Sequence, residues 1–274
     1  NTTGASNVAI GYAALDANTT GNSNVAVGLS ALGANTTGTP NVAIGQGALA
    51  ANTTAGNSVA VGYDALTANT TGSRGSCLGV GALGGQTTGH YNSAIGFSAG
   101  AAMTTGSYNQ FFGYEAGIAG SPGGAVTTGS NQLCLGDENI TNAHVQVDWT
   151  IASDKRDKTD VSPLDLGLDF INQLEPVTYR WDKRGLYSKD QNIVPDGTHK
   201  EEQLEGGFLA QDVEVIENQY GYQQSDKTNL ITHLSDDGMM YGIKYSKLVP
   251  MLTKAVQELS AEVEELKQQL NQED

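Results

Sequence analysis

An internal repeat of 17 residues constrains the first half of this 274-residue chain more than any other feature. Asn-Thr-Thr recurs at that spacing from Asn1 to Asn69, and the same frame continues to about residue 140 as eight copies. A unit this short cannot bury a hydrophobic core alone, whereas stacked copies share a continuous one. The repeat therefore predicts a β-solenoid.

Each copy contains a short apolar run that ends in glycine, such as Asn-Val-Ala-Ile-Gly at residues 7–11. Large β-branched residues alternate with alanine, which predicts a strand with one large-residue face and one small-residue face. We expect the small-residue face to let neighbouring chains approach closely. Asn-Thr-Thr-Gly is typical of turns, and an insertion of six residues around 120–124 precedes the last copy.

The two cysteines and the repeated Asn-Thr-Thr both have structural interpretations. Cys77 and Cys134 replace the small residue of the strand three copies apart, beyond the reach of a disulfide. We therefore predict that both are buried, unpaired fillers. Asn-Thr-Thr also matches the glycosylation sequon, but turn chemistry already explains why it recurs.

Charge divides the chain and excludes several functions. Residues 1–147 carry five acids and one base, whereas the remaining 127 residues carry 25 acids and 13 bases. This acidic balance argues against nucleic-acid binding, and no run of about 18 apolar residues predicts a membrane span. No cofactor motif is present and the four histidines lack metal-ligand spacing, so we expect neither cofactor nor metal.

The composition changes after a predicted last strand, Val145–Ile151, at the sequence Ser-Asp-Lys-Arg-Asp-Lys of residues 153–158. From composition alone this is a solvated linker or a helix start capped by Ser153. A serine and a lysine five positions apart are also suited to act as nucleophile and base. The residues by themselves leave both interpretations open.

The repeat half resembles known trimeric fibres. The motif Asn-Val-Ala-Ile-Gly, followed by Ala-Leu, is similar to the β-roll heads of trimeric autotransporter adhesins and to the repeat stalks of phage tail fibres. The resemblance covers roughly residues 1–140 and implies a homotrimer. We assign residues 1–147 to this solenoid stalk.

The second half resembles the intramolecular chaperone auto-processing domain of phage endosialidases and tail fibres, which has a relative in the eukaryotic myelin regulatory factor. Four blocks carry the resemblance, at residues 153–161, 167–181, 207–213 and 245–250. We assign residues 148–250 to this domain, which is expected to be α+β.

This resemblance implies self-cleavage by a Ser-Lys dyad, with Ser153 as nucleophile and Lys158 as general base. It casts Asp154 and Arg156 as positioning residues. The cut is expected beside Ser153, at either Ala152–Ser153 or Ser153–Asp154, and the sequence does not choose between these bonds.

Apolar residues near the C-terminus step by four and three, at Leu252, Val256, Leu259, Val263, Leu266 and Leu270. This spacing predicts a coiled coil over residues 251–274, with a backward extension through Val249 to Tyr245. A trimer is favoured because the repeat half also indicates one. The alternative is an amphipathic helix that packs on its own domain.

Together these features predict the C-terminal part of a homotrimeric viral tail fibre or spike in the virion, whose chaperone domain cleaves itself off. The chain begins in mid-repeat without Met, so we expect an upstream region that contacts a host-cell receptor. The alternative is a bacterial surface adhesin or stalk with a trimerisation cap that does not cleave. A transcription factor of the myelin-regulatory type is disfavoured by the acidic charge and by the lack of a DNA-binding region.

Overall fold

The computed structural model describes residues 1–121, 123–188, 192–235 and 237–273. They divide into two compact units. The first comprises Asn1–Thr141, Asp182–Lys200 and Ser235–Met240, and the second comprises Asn142–Trp181, Glu201–Leu234 and Tyr241–Asp274. Pro122 of the predicted insertion and Asp274 of the predicted coiled coil lie outside the described residues.

The first unit contains a β-solenoid, as predicted. Its eight parallel strands pair in chain order: β1 (Val8–Ile10), β2 (Val25–Val27), β3 (Asn41–Ile44), β4 (Ser58–Val61), β5 (Ser76–Leu78), β6 (Ser93–Ile95), β7 (Gln110–Phe112) and β8 (Leu133–Leu135). Val8 pairs with Val25, an offset of 17, and this offset holds up to β7. Gln110 of β7 pairs with Leu133 of β8, so the insertion lies between these strands without disturbing the register.

The two faces of the strands are arranged opposite to our expectation. Ala26, Ala43 and Ala60 point into the coil and are completely buried, together with leucines of the turns such as Leu32 and Leu49. The prediction that the small-residue face lies between chains is therefore wrong. Where a turn leucine fills the narrow interior of the coil, only a small side chain fits on the opposite wall. In β7 the inward position holds the buried Phe111 instead, because Gly100 and Gly117 stand at the leucine position and leave room for its ring.

The large-residue face of the same sheet is exposed along much of its length. Its exposed members are Val8, Ile10, Ile44, Val59, Leu78, Ile95, Leu133 and Leu135. Cys77 and Cys134 lie on the inner face as buried free thiols, as predicted. Burial raises the pKa of Cys77 to about 12, so this side chain remains a neutral thiol that fills space in the core.

A ladder of buried side-chain amides links successive coils. Asn35 Nδ2 donates to Asn18 Oδ1 of the preceding coil at 3.0 Å and to the Gly38 carbonyl oxygen at 3.2 Å. The same hydrogen bond to the preceding coil recurs at Asn52, Asn69 and Gln86. The ladder explains why asparagine recurs at this position. It also buries the asparagines of this ladder from Asn18 to Asn69, which disfavours glycosylation at these positions in the folded chain.

We expect Asn35→Ala to destabilise the solenoid by about 2 kcal/mol or more, because it leaves buried polar groups of the neighbouring coils without a partner. The measurement is the midpoint of urea unfolding followed by circular dichroism. Thr37→Ala, an exposed change in the same turn, is the matched control and should leave the midpoint almost unchanged. Equal midpoints for the two variants would contradict a stabilising role for the ladder.

The second unit is a small α+β domain that ends in a long helix, in agreement with the predicted fold class. Its elements are a 3-10 helix (Lys155–Asp157), α1 (Leu168–Ile171), β9 (Val177–Tyr179), β10 (Glu205–Gly207), α2 (Ala210–Gln219), β11 (Thr232–Leu234), β12 (Tyr241–Ile243), a second 3-10 helix (Tyr245–Lys247) and α3 (Leu248–Glu273). Strands β9 and β10 pair antiparallel, as do β11 and β12. The core comprises Leu166, Phe170, Val213, Ile231, Leu248 and Met251. A further 3-10 helix, Arg184–Leu186, belongs to the first unit.

Helix α3 has two apolar faces. Leu248, Met251 and Ala255 are buried, and the helix packs against α1. The residues at heptad spacing are exposed instead: Leu252, Val256, Leu259, Val263, Leu266 and Leu270. The helix therefore packs on its own domain through one face, while its apolar heptad face is exposed and the predicted coiled coil stays a prediction. Pro250 lies in the first turn, where proline is tolerated, whereas Tyr245 precedes the α-helix.

Residues Val145–Ile151 do not form the predicted strand in the single chain. A strand exists only where a second backbone pairs with it, and within the described ranges no backbone hydrogen bond reaches this segment. None of the helices in the described part of the chain is long and apolar enough to cross a membrane.

Candidate active site

A single turn of 3-10 helix, Lys155–Asp157, organises the residues at the composition change. Asp154 is its N-cap and accepts a hydrogen bond from the Arg156 backbone N–H at 2.9 Å. Aspartate is favoured at this position because its carboxylate satisfies a free N–H of the first turn. The cap is therefore Asp154, one residue later than the Ser153 cap considered from composition, and the Ser153 hydroxyl is left for another contact.

Asp154 and Arg156 form a forked ion pair across this turn. Arg156 Nη2 donates to Asp154 Oδ2 at 2.6 Å, and Arg156 Nε donates to Oδ1 at 3.1 Å. These hydrogen bonds lower the pKa of the Asp154 carboxyl and raise the pKa of the Arg156 guanidinium. The pair is exposed and contributes little to overall stability, but it restricts the geometry of the turn next to Ser153.

The turn brings Ser153 and Lys158 into direct contact. Lys158 closes the 3-10 helix through its backbone N–H, which donates to the Lys155 carbonyl oxygen at 3.3 Å. Its side chain then reaches back, and Lys158 Nζ donates to Ser153 Oγ at 2.6 Å. The two residues predicted as nucleophile and base are therefore hydrogen-bonded, while both are exposed in the single chain.

This contact has the geometry that serine activation by an amine requires. A serine hydroxyl becomes a good nucleophile when a base within hydrogen-bond distance removes its proton. The hydrogen bond from Lys158 to Ser153 joins the two atoms between which that proton would move. An amine accepts a proton only in its neutral form, which exclusion of water favours.

Two buried or capping carboxylates that the sequence did not reveal stabilise the domain around this site. Glu258 of α3 accepts a hydrogen bond from the Leu168 N–H at the start of α1, at 2.6 Å, and forms an ion pair with Lys254. Lys254 and the Leu168 N–H lower the pKa of Glu258. A Cβ on Gly167 would lie 2.0 Å from Glu258 Oε2, so a larger residue there would displace this carboxylate from the start of α1.

The second carboxylate, Glu217 of α2, is completely buried and accepts hydrogen bonds from the loop before β11. Neither the heptad spacing nor the four blocks of family resemblance could identify Glu217 from the sequence, because its partners are backbone N–H groups 13–15 residues away. Among the described residues, no cluster of three or more His, Cys, Asp or Glu side chains could hold a metal ion.

Comparison with known proteins gives a family match for the segment that contains this site. Residues 153–222 match the family model described as "Chaperone of endosialidase". No curated protein and no solved structure matches the chain. The matched range begins at Ser153 and includes three of the four blocks noted in the sequence. Over residues 153–222 the chain is therefore similar to the chaperone-of-endosialidase family, and this segment follows a β-solenoid of 17-residue repeats.

Proposed function

We propose that this chain is the C-terminal part of a homotrimeric phage tail fibre or spike, and that its chaperone domain cuts the chain beside Ser153 after assembly. The observation that carries the proposal is the 2.6 Å hydrogen bond from Lys158 Nζ to Ser153 Oγ. It lies at the first residue of the match to the chaperone family. Asp154 and Arg156 act as positioning residues that hold the intervening turn.

The proposed reaction is an N→O acyl shift followed by hydrolysis. Lys158 takes the Ser153 hydroxyl proton while Oγ attacks the Ala152 carbonyl carbon. The Ala152–Ser153 C–N bond then breaks, the departing Ser153 nitrogen takes a proton, and an ester joins Ala152 to Oγ. Water hydrolyses the ester, which releases the Ala152 carboxylate and regenerates the serine hydroxyl.

Ring size favours the Ala152–Ser153 bond over Ser153–Asp154. Attack of Oγ on the preceding carbonyl carbon closes a five-membered ring through the Ser153 backbone nitrogen. Attack on the carbonyl carbon of Ser153 itself would close a strained four-membered ring. We therefore assign the cut to the N-terminal side of Ser153.

Two exposed apolar surfaces support assembly from identical chains. The heptad face of α3 has the spacing with which helices of a coiled coil pack on copies of themselves. The large-residue face of the solenoid sheet is a second surface, on the other unit. A trimer that covers both would account for residues that a monomer leaves in water.

A chaperone domain that assembles the chains would solve a register problem in the solenoid. Coils of near-identical sequence can stack out of step, because pairings shifted by one repeat are almost equally favourable. A trimeric helical bundle at the C-terminus would align the three chains before the repeats fold. After cleavage the template leaves, and the fibre is protected by its unfolding barrier.

We expect the purified wild-type chain to separate under denaturing conditions into pieces of 152 and 122 residues. The two pieces are similar in mass, so intact mass spectrometry and N-terminal sequencing are the appropriate measurements. The smaller piece should begin with Ser153. An intact trimer under folding conditions would contradict the proposal and would instead favour a bacterial surface stalk with a cap that does not cleave.

A further inference from the structure

The segment directly before the active site presents an unpaired apolar face. Along residues 145–151, apolar and polar side chains alternate, as in a strand with one buried face. Val145 is 53% exposed, Val147 74%, Trp149 72% and Ile151 72%. Four large apolar side chains this close together are costly to leave in water.

We propose that Val145–Ile151 is an inter-chain strand: in the assembled trimer, three copies bring this apolar face together and thereby enclose the Ser153–Lys158 pair. The inference rests on the proposed self-cleavage and deepens it. It identifies the surface that makes cleavage depend on assembly, and it assigns Trp149 and Ile151 as positioning residues for the dyad.

The occupant of this face is a second and third copy of the same segment. The apolar heptad face of α3 belongs to the same unit, and its spacing recruits copies of the chain. Under cyclic symmetry each recruited copy presents the same residues to the common axis. The apolar face carries no charge that would match an unlike partner, whereas the polar residues Gln146, Asp148 and Thr150 alternate with it.

The two-residue period of a strand places Ser153 on the same face as Ile151 and Trp149. If the strand continues through Ala152, the hydroxyl of Ser153 points toward the apolar side chains of the three copies. Lys158 follows because it is hydrogen-bonded to Ser153 Oγ. Closure of the three segments then removes water from both side chains.

This enclosure would exclude water from Ser153 and Lys158, which are both exposed in the single chain. Removing water favours the neutral form of an amine, which is the form that can accept a proton from a hydroxyl. A single chain, in which the pair is exposed, would remain intact. Proton transfer from Ser153 Oγ to Lys158 Nζ would become possible only when three chains are aligned.

The first test compares charges on the two faces of the segment in the full chain. Trp149→Glu places a carboxylate on the apolar face and should slow cleavage by on the order of 100-fold or more, because a buried unpaired charge opposes closure. Thr150→Glu places the same charge on the polar face and should be cleaved at the wild-type rate. Trp149→Phe should restore cleavage. Equal rates for the two glutamate variants would overturn the inference.

The second test locates the face directly, without cleavage. In the Ser153→Ala chain, whose two native cysteines are buried, Val147→Cys should form disulfide-linked dimers between chains under mild oxidation. Asp148→Cys should form far fewer. Equal cross-linking of the two would overturn the inter-chain strand. If the wild-type chain stays uncut, the proposed self-cleavage fails, and the cross-linking result still decides whether the strand exists.

Discussion

Ser153→Ala and Lys158→Ala should each leave the chain intact, with the rate of cleavage lowered by on the order of 10⁴-fold or more, as found when members of a catalytic unit are removed. The first variant has no oxygen nucleophile. The second retains the hydroxyl but removes the amine that contacts it at 2.6 Å. The measurement is the fraction of intact chain over time by mass spectrometry, with the oligomeric state determined by light scattering.

The matched control is Lys155→Ala, which removes a lysine of the same turn that does not contact Ser153. It should be cleaved at nearly the wild-type rate. Lys158→Arg should remain uncut although it keeps the charge, because a guanidinium does not lose its proton in proteins. Normal cleavage of Lys158→Ala would exclude Lys158 as the base, even if Ser153→Ala were inactive.

Glu217→Ala should destabilise the chaperone domain by about 3 kcal/mol or more, because several buried donors lose their acceptor at a cost of about 1–3 kcal/mol each. Glu217 accepts hydrogen bonds from the N–H groups of Leu230 at 2.8 Å, Ile231 at 2.7 Å and Thr232 at 2.9 Å. It also accepts one from the Thr232 hydroxyl. Without the carboxylate, these donors are left in the interior with no acceptor.

This effect is measurable by urea unfolding of the Ser153→Ala chain, which keeps both halves together. The two tryptophans of the protein, Trp149 and Trp181, both belong to the second unit, so their fluorescence reports on it. Asn218→Ala changes an exposed neighbour on α2 and should shift the free energy of unfolding by about 0.5 kcal/mol or less. Similar midpoints for the two variants would show that Glu217 is dispensable.

The two faces of α3 would connect folding of the chaperone domain with the proposed assembly of the chains. The face with Leu248 and Met251 completes the core of the domain, while the heptad face is available to other chains. Glu258 joins the start of α1 to this helix. An assembled helical bundle would therefore also hold the folded chaperone domain of each chain in place.

Features that repeat or are local could be predicted from the sequence. The offset of 17 residues between strands follows from the repeat, because each coil must return the chain to the same position one layer further. The contact between Ser153 and Lys158 lies within one turn, so a spacing of five residues allowed it, although only the resemblance to the chaperone family gave these residues their roles. The burial of Cys77 and Cys134 followed from the position that they occupy in the repeat.

Features that depend on which surfaces meet could not be predicted in this way. The alternation of valine and alanine identifies two faces, but not which of them lines the coil; the leucines of the turns decide that. Similarly, the pattern of Val145–Ile151 predicts a strand, whereas the single chain has no partner for it among its described residues. Glu217 and Glu258 were not recognised because their partners are backbone N–H groups of distant segments.

The sequence by itself thus determined the solenoid and the heptad spacing of the last helix, because each depends on periodicity along the chain, and resemblance to the chaperone family pointed to the candidate dyad. Only the tertiary structure decided which face of each strand is buried, which face of α3 packs on the domain, and that Asp154 caps the turn while Ser153 is bonded to Lys158. Those choices depend on volumes and hydrogen-bond partners that come together only in the folded chain.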